Sequence, residues 1–173
     1  MRTRPATPDD LDPIFEIYEH EVLHGVATFD LDPFTPEERR AWFDRHGPPA
    51  HPVIVAQDGD TVVGWAALSP FSSKRAYART AEVSVYVHKD HRGRGVGRAL
   101  LGELIRLGRA GGLGVLLARI AAEQVPSLGL HLSLGFQHVG TMRRVGEKFG
   151  RVLDVELLDY QLDGERDGGS DRG

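Results

Sequence analysis

Glu82 and the run Arg92-Gly93-Arg94-Gly95-Val96-Gly97-Arg98 are the residues of this chain best suited to chemistry. Glu82 stands near the start of an apolar strand pattern, Thr80 to His88, that carries Val83, Val85 and Val87. The glycine-spaced turn follows, and then Leu100, Leu101, Leu104, Ile105 and Leu107 recur at helical spacing. Free N–H groups at a helix start point outward, and the helix dipole adds about half a positive charge there. Glycines 93, 95 and 97 permit positive φ and a close approach of backbone to an anion. Arg92, Arg94 and Arg98 add fixed positive charge suited to phosphate oxygens. At ~3.3 Å per residue, Glu82 lies roughly 30 Å of chain from Arg92, a spacing that suits a long phosphorylated carrier. The alternative for the turn is an ordinary glycine bend with solvated arginines. Glu82 reads as a general base whose apolar neighbours raise its pKa by burial, or as a strand-end carboxylate paired with an arginine such as Arg79.

Other phosphate loops fit less well. A dinucleotide fingerprint counted from Gly93 needs glycine where Arg98 stands, and no Gly-Lys-Ser/Thr Walker sequence occurs.

These groups need elements to hold them. Arg2 to Ala6 reads as a first strand. Thr7-Pro-Asp-Asp and Thr35-Pro-Glu-Glu each cap a helix, the first with Pro13 as a possible kink. Residues 52–57 and 61–68 form a hairpin around Asp58-Gly-Asp, and 69–79 is a polar connection. Residues 80–88 are a strand, 95–110 a helix, 114–121 a strand, 125–134 a short helix, 137–145 a strand and 152–162 the closing strand. The early hairpin and later strand–helix alternation predict an α/β (α+β) mixed sheet with helices on both faces. The unit 80–121 predicts parallel neighbours joined by a right-handed crossover. One domain over 1–162 is expected, with a disordered acidic, glycine-rich tail over 163–173.

A chain of 173 residues, 40% hydrophobic and 27% charged, has the composition of a soluble globular protein. A net charge of −4 speaks against general nucleic-acid binding. No cysteine is present, which excludes disulfides and an acyl-cysteine intermediate. The opening Met1-Arg-Thr-Arg-Pro lacks an apolar signal core and no run has spanning length, so no membrane association and a cytoplasmic location are expected. The eight histidines read as scattered, and no metal is expected.

Arg92-x-x-Gly95-x-Gly97, between strand and helix, resembles the pyrophosphate motif of the GNAT acyltransferases. The strand Thr80-Ala-Glu-Val-Ser-Val-Tyr-Val is similar to the phosphinothricin and methionine sulfoximine N-acetyltransferase family. So are Ala27-Thr-Phe-Asp, Ala41-Trp-Phe, Leu130-His-x-x-Leu-Gly-Phe136 and Gly146-x-Lys-Phe-Gly-Arg-x-Leu-Asp154. The resemblance implies a GNAT-type sheet whose two parallel strands splay, so that coenzyme pantetheine pairs with exposed backbone at Val85, Tyr86 and Val87. It implies acetyl-CoA as co-substrate at Arg92, Gly93, Arg94, Gly95, Val96, Gly97 and Arg98, with Gln124 and Ser127 beside the pantetheine. Ser127 is alternatively the cap of its short helix. The family's catalytic glutamate falls on Glu82. His131 is either a proton donor to the leaving thiolate or a helix histidine satisfied by a carbonyl.

The acceptor positions implied are Phe29, Ser72, Ser73, Lys74, Glu82, Val83 and Ser84, with Tyr86 and Lys148-Phe149 as further candidates and Lys74 as cation for a carboxylate. The family's asparagine is Gln124 here and its tryptophan is Val152. The implied reaction acetylates the α-amine of a small amino acid or analogue, in a homodimer. An acyl-CoA-binding sensor, or transfer to a protein amine, are the other readings.

Overall fold

The computed structural model describes residues 1–163; the tail expected over 163–173 lies, apart from Asp163, outside them. Seven strands form a mixed sheet. In chain order they are β1 (Arg2–Pro5), β2 (Val53–Asp58), β3 (Thr61–Pro70), β4 (Thr80–Val87), β5 (Val115–Ala121), β6 (Gln137–Lys148) and β7 (Arg151–Gln161). The spatial order is β1-β2-β3-β4-β5-β7-β6, antiparallel throughout except for the β4–β5 pair. The helices are α1 (Leu11–His24), α2 (Pro36–Asp44), α3 (Val96–Ala110) and α4 (Val125–Ser133).

Period-two alternation divides the sheet's side chains between its two faces. Ile54, Ala66, Leu68, Ala81, Val83, Leu116, Ala118 and Ile120 face α3, which returns Leu100, Leu101, Leu104 and Ile105. Val53, Val55, Trp65 and Ala67 face α1, which returns Leu11, Ile14, Phe15 and Ile17. Phe34, Trp42 and Phe43 close that second face. Both caps form, but differently. Thr35 accepts from the Glu38 N–H while the Glu38 carboxylate reaches the Thr35 N–H, a complete capping box. Thr7 opens only a short 3₁₀ turn over Pro8–Asp10, where Asp10 is held by Arg4 at 2.7 and 2.8 Å. As α1 itself starts at Leu11, Pro13 falls in its first turn, where its missing N–H costs no helical bond, and the helix runs on unbroken to His24.

The connection expected between 145 and 152 is largely strand. β6 and β7 run on to a tight turn at Phe149-Gly150, with φ of 53° and 68°. That handedness matches the twist of a two-residue hairpin. Among the described residues, no helix is long and apolar enough to cross a membrane.

Leu104 has no exposed surface where α3 meets the sheet. Leu104→Ala is expected to destabilise the fold by about 2–5 kcal/mol, read as a lower urea midpoint at unchanged slope.

Candidate active site

The parallel ladder between β4 and β5 is short. Thr80, Ala81 and Glu82 stand opposite Val115, Leu116 and Leu117, and there the pairing ends. β4 continues beside β3 as far as Val87, opposite Gly64, and β5 continues beside β7 as far as Ala121. The two strands therefore part just after Glu82. The His88 N–H donates to Val63 O, so alternation turns the N–H groups of Tyr86 and Ser84 toward β3. The main-chain groups of Val85 and Val87 are left facing the gap. A cleft of about 960 Å³ fills the fork, lined by 82–87 on one side and 118–121 on the other. That is the upper range for small-molecule sites.

One end of the cleft is the start of α3. Gly95 sits at φ 82° and Gly93 at φ 73°, conformations that cost a side chain but not glycine. No side chain caps this end, so first-turn N–H groups at Val96, Gly97 and Arg98 face the cleft. Arg92, Gly93, Gly95, Val96, Gly97 and Arg98 all line it. The Arg92 guanidinium pairs with the buried Glu21 carboxylate of α1, and its Nε–H donates to Val87 O at 3.3 Å. Arg98 donates to Ser133 Oγ at 2.8 Å. Arg94, between the two left-handed glycines, is exposed and does not line the cleft.

Glu82 stands at the fork itself. Its surroundings differ from the expected valine pocket, since Val83 points into the α3 core and Val85 and Val87 pack against that core, on the opposite face. Across the gap, Arg119 of β5 donates through Nε and Nη2 to the two Glu82 oxygens, both at 2.6 Å. The partner is therefore Arg119; Arg79 pairs instead with Asp163 at 2.5 Å. The carboxylate in turn holds the Arg119 pKa above its ordinary value, chiefly through these hydrogen bonds. Ser84 and the aromatic Tyr86 share the Glu82 face; the Tyr86 hydroxyl donates to Ala27 O at 3.3 Å, and burial pushes its pKa above the usual phenol value.

α4 closes the other wall with Gln124, Ser127 and His131. Gln124 holds the N-cap position, so Ser127 is not the cap; its carbonyl instead accepts from His131 Nδ1 at 2.8 Å. His131 is buried, and its ring meets Phe136 edge-on at 5.0 Å. Burial lowers its pKa, opposed by the Ser127 bond.

Past Glu82 the cleft is walled by Thr28, Phe29, Ser69, Met142, Val145 and Val155. Phe29 lies over Gly146, where an added Cβ would come within 2.1 Å of the ring. Lys148, also in the signature of β6, is buried and donates to Glu21 O at 3.1 Å and Thr28 O at 2.8 Å, tying the 25–30 loop to β6. Ser72, Ser73 and Lys74 do not line the cleft. β3 ends at Pro70, and the chain leaves the sheet there for an exposed turn in which Ser72 Oγ accepts from the Lys74 N–H at 3.2 Å. Phe149 and Val152 are likewise exposed and outside it. The histidines are less scattered than expected. His20-Glu21-Val22-Leu23-His24 has the spacing of a helical zinc pair, and its rings lie 5.1 Å apart. Glu21 is engaged by Arg92, however, and among the described residues no third ligand completes a metal group.

Arg119 is the residue that spacing and motif overlooked. The available signal was a charged residue in an otherwise apolar strand, Val115-Leu-Leu-Ala-Arg-Ile-Ala121.

This architecture recurs in known proteins. The phosphinothricin N-acetyltransferase of Streptomyces coelicolor is 41% identical over 94% of this chain and 96% of its own. The L-methionine sulfoximine/L-methionine sulfone acetyltransferase of Salmonella typhimurium is 39% identical over 94% and 95%. A GNAT superfamily phosphinothricin acetyltransferase from Sinorhizobium meliloti, solved in complex with acetyl-CoA, superposes with a TM-score of 0.90 at 36% identity, over 93% of this chain and 88% of that one. The model of the acetyltransferase (GNAT) family matches residues 12–136, and with these relatives it places the chain in that family.

Proposed function

We propose that this chain is an acetyl-CoA-dependent N-acetyltransferase of a small amino acid or analogue, of the methionine sulfone, methionine sulfoximine or phosphinothricin type. The observation that carries it is the fork: a carboxylate at the point where β4 and β5 part, in one cleft with the uncapped start of α3. On this reading the protein acts in the cytoplasm as a homodimer comprising one domain over 1–162, with no metal and neither nucleic acid nor membrane as partner.

The residues present fit the coenzyme. Amides of Val96, Gly97 and Arg98, with the Arg92 and Arg98 side chains, would hold its diphosphate. The open edge of β4 at Val85 and Val87 would pair with the pantetheine amides, opposite Gln124 and Ser127. Bound coenzyme supplies an activated acetyl thioester. Glu82 takes the proton from the acceptor ammonium, directly or through one water, while main-chain N–H groups of β4 polarise the thioester carbonyl. An N–C bond forms and the C–S bond breaks; sulfur leaves as thiolate and takes up the second proton, which nitrogen sheds on becoming an amide. With no cysteine to carry the acyl group, the amine attacks directly in a ternary complex.

His131 is confined by its bond. Ser127 O can only accept, so Nδ1 carries the hydrogen and Nε2 is an acceptor in the neutral ring. The ring can protonate the departing sulfur only after receiving a proton itself, such as the one the amine releases.

Assays of thiol release with the three named acceptors test the reading; turnover of none, with acetyl-CoA bound, would favour a sensor. Glu82→Gln is expected to lower kcat by ~10²–10⁴-fold with coenzyme affinity within about twofold. Arg92→Ala and Arg98→Ala should each weaken coenzyme binding by roughly tenfold in calorimetry; wild-type affinity in both would move the phosphate site elsewhere. The lowered His131 pKa sets the sign of an acid effect. The unfolded chain takes up this proton below about pH 6.5 and the folded chain resists it, so stability is lost as pH falls from there toward the folded pKa. His46 and His51, also lowered by burial, act in the same sense. Urea unfolding between pH 7 and 5 should show this loss, with a shallower slope in His131→Gln.

A further inference from the structure

We propose that Arg119 sets acceptor specificity, orienting Glu82 with one edge of its guanidinium and receiving the acceptor's α-carboxylate with the other. This deepens the N-acetyltransferase reading and rests on it.

Four observations lead there. Lys74 does not line the cleft, and Lys148 has turned its ammonium to the carbonyls of Glu21 and Thr28. Arg92 and Arg98, the other arginines of a lining that holds no lysine, belong to the α3 end and are held by Glu21 and Ser133. Arg119 is therefore the cation of the lining that stands against Glu82.

The second observation is stereochemical. A guanidinium carries five N–H donors in a plane, arranged so that two parallel pairs are available on different edges. Glu82 occupies the edge formed by Nε and Nη2. The end formed by Nη1 and Nη2 keeps a second parallel pair, the geometry that a carboxylate takes up bidentately.

The third is orientation. Leu116, Ala118 and Ile120 of β5 point into the α3 core, so alternation puts Arg119 on the Glu82 face, two residues beyond the last β4–β5 pair. Its side chain is 53% exposed against 23% for Glu82, and it is among the residues that line the cleft.

The fourth is charge. Glu82 and Arg119 together are neutral, and they offer an anionic and a cationic group side by side. An ammonium with a carboxylate on the next carbon complements both. A simple amine meets only Glu82, and its carboxylate-free side leaves the guanidinium edge unmatched. The pair thus selects α-amino acids as a class.

The test compares methionine sulfone with its decarboxylated amine in the wild type, Arg119→Gln and Arg119→Lys. Calorimetric acetyl-CoA binding checks that each variant is folded. In Arg119→Gln the KM for the amino acid should rise at least ~10-fold while that for the amine stays within about threefold, collapsing the preference for the amino acid. Arg119→Lys should recover part of the preference, since it keeps the charge and loses the fork. A wild-type ratio of kcat/KM values retained in both variants would overturn the proposal while leaving the acetyltransferase reading intact. So would an equal fall in kcat on both substrates with both KM values unchanged, which would make Arg119 a support for Glu82 alone. A wild type that acetylates neither compound would instead sink the underlying reading, and the proposal with it.

Discussion

The site depends on a ladder of hydrogen bonds that stops. β4 and β5 pair over Thr80 to Glu82 and then separate, each kept in place by its outer neighbour. Buried main-chain groups without partners would cost about 1–3 kcal/mol each, so the parting is tolerable only where water or a ligand reaches them. A cleft running through the sheet supplies that access, and a ligand with amide groups of its own can replace the water strand-fashion. The same parting sets the chemistry, because it leaves Glu82 at the apex with open space on one side and Arg119 on the other.

Electrostatics then divides the cleft. At the α3 end, an uncapped helix start and two arginines gather positive charge, partly countered by the buried Glu21. At the fork, a carboxylate and a guanidinium cancel. The first region therefore suits a polyanionic carrier and the second a zwitterion, which on the proposed reading would separate the two substrates along one channel. The pair at the fork contributes little to stability, since Arg119 is half exposed and water screens it. Its value lies in orientation: two parallel hydrogen bonds fix the plane of the Glu82 carboxylate.

Packing explains why these groups stay where they are. α3 is anchored by fully buried Leu100, Leu101 and Leu104, so its first turn presents rigid amides. On the opposite face, Lys148 ties the loop carrying Thr28 and Phe29 to β6, and the Phe29 ring rests on the bare backbone of Gly146. Phe29 can occupy that position only because residue 146 has no side chain.

Much of this was legible in the amino-acid sequence, because it is encoded between near neighbours. Glycine spacing at 93–97, the helical repeat of the leucines after it, the Thr-Pro caps and the alternation in β2 to β5 each involve residues a few positions apart. Those signals determined the elements, the mixed sheet and the glycine turn that leaves the start of α3 uncapped. Tertiary structure decided which distant side chains converge. Glu82 and Arg119 are 37 positions apart, and Arg92 and Glu21 71. It also carried Ser72 to Lys74 away from the cleft and reversed the expected valine surround of Glu82. The physical reason is that a strand's own sequence specifies which residues share a face, whereas register and the point at which two strands part are set by the whole sheet and the helices packed on it.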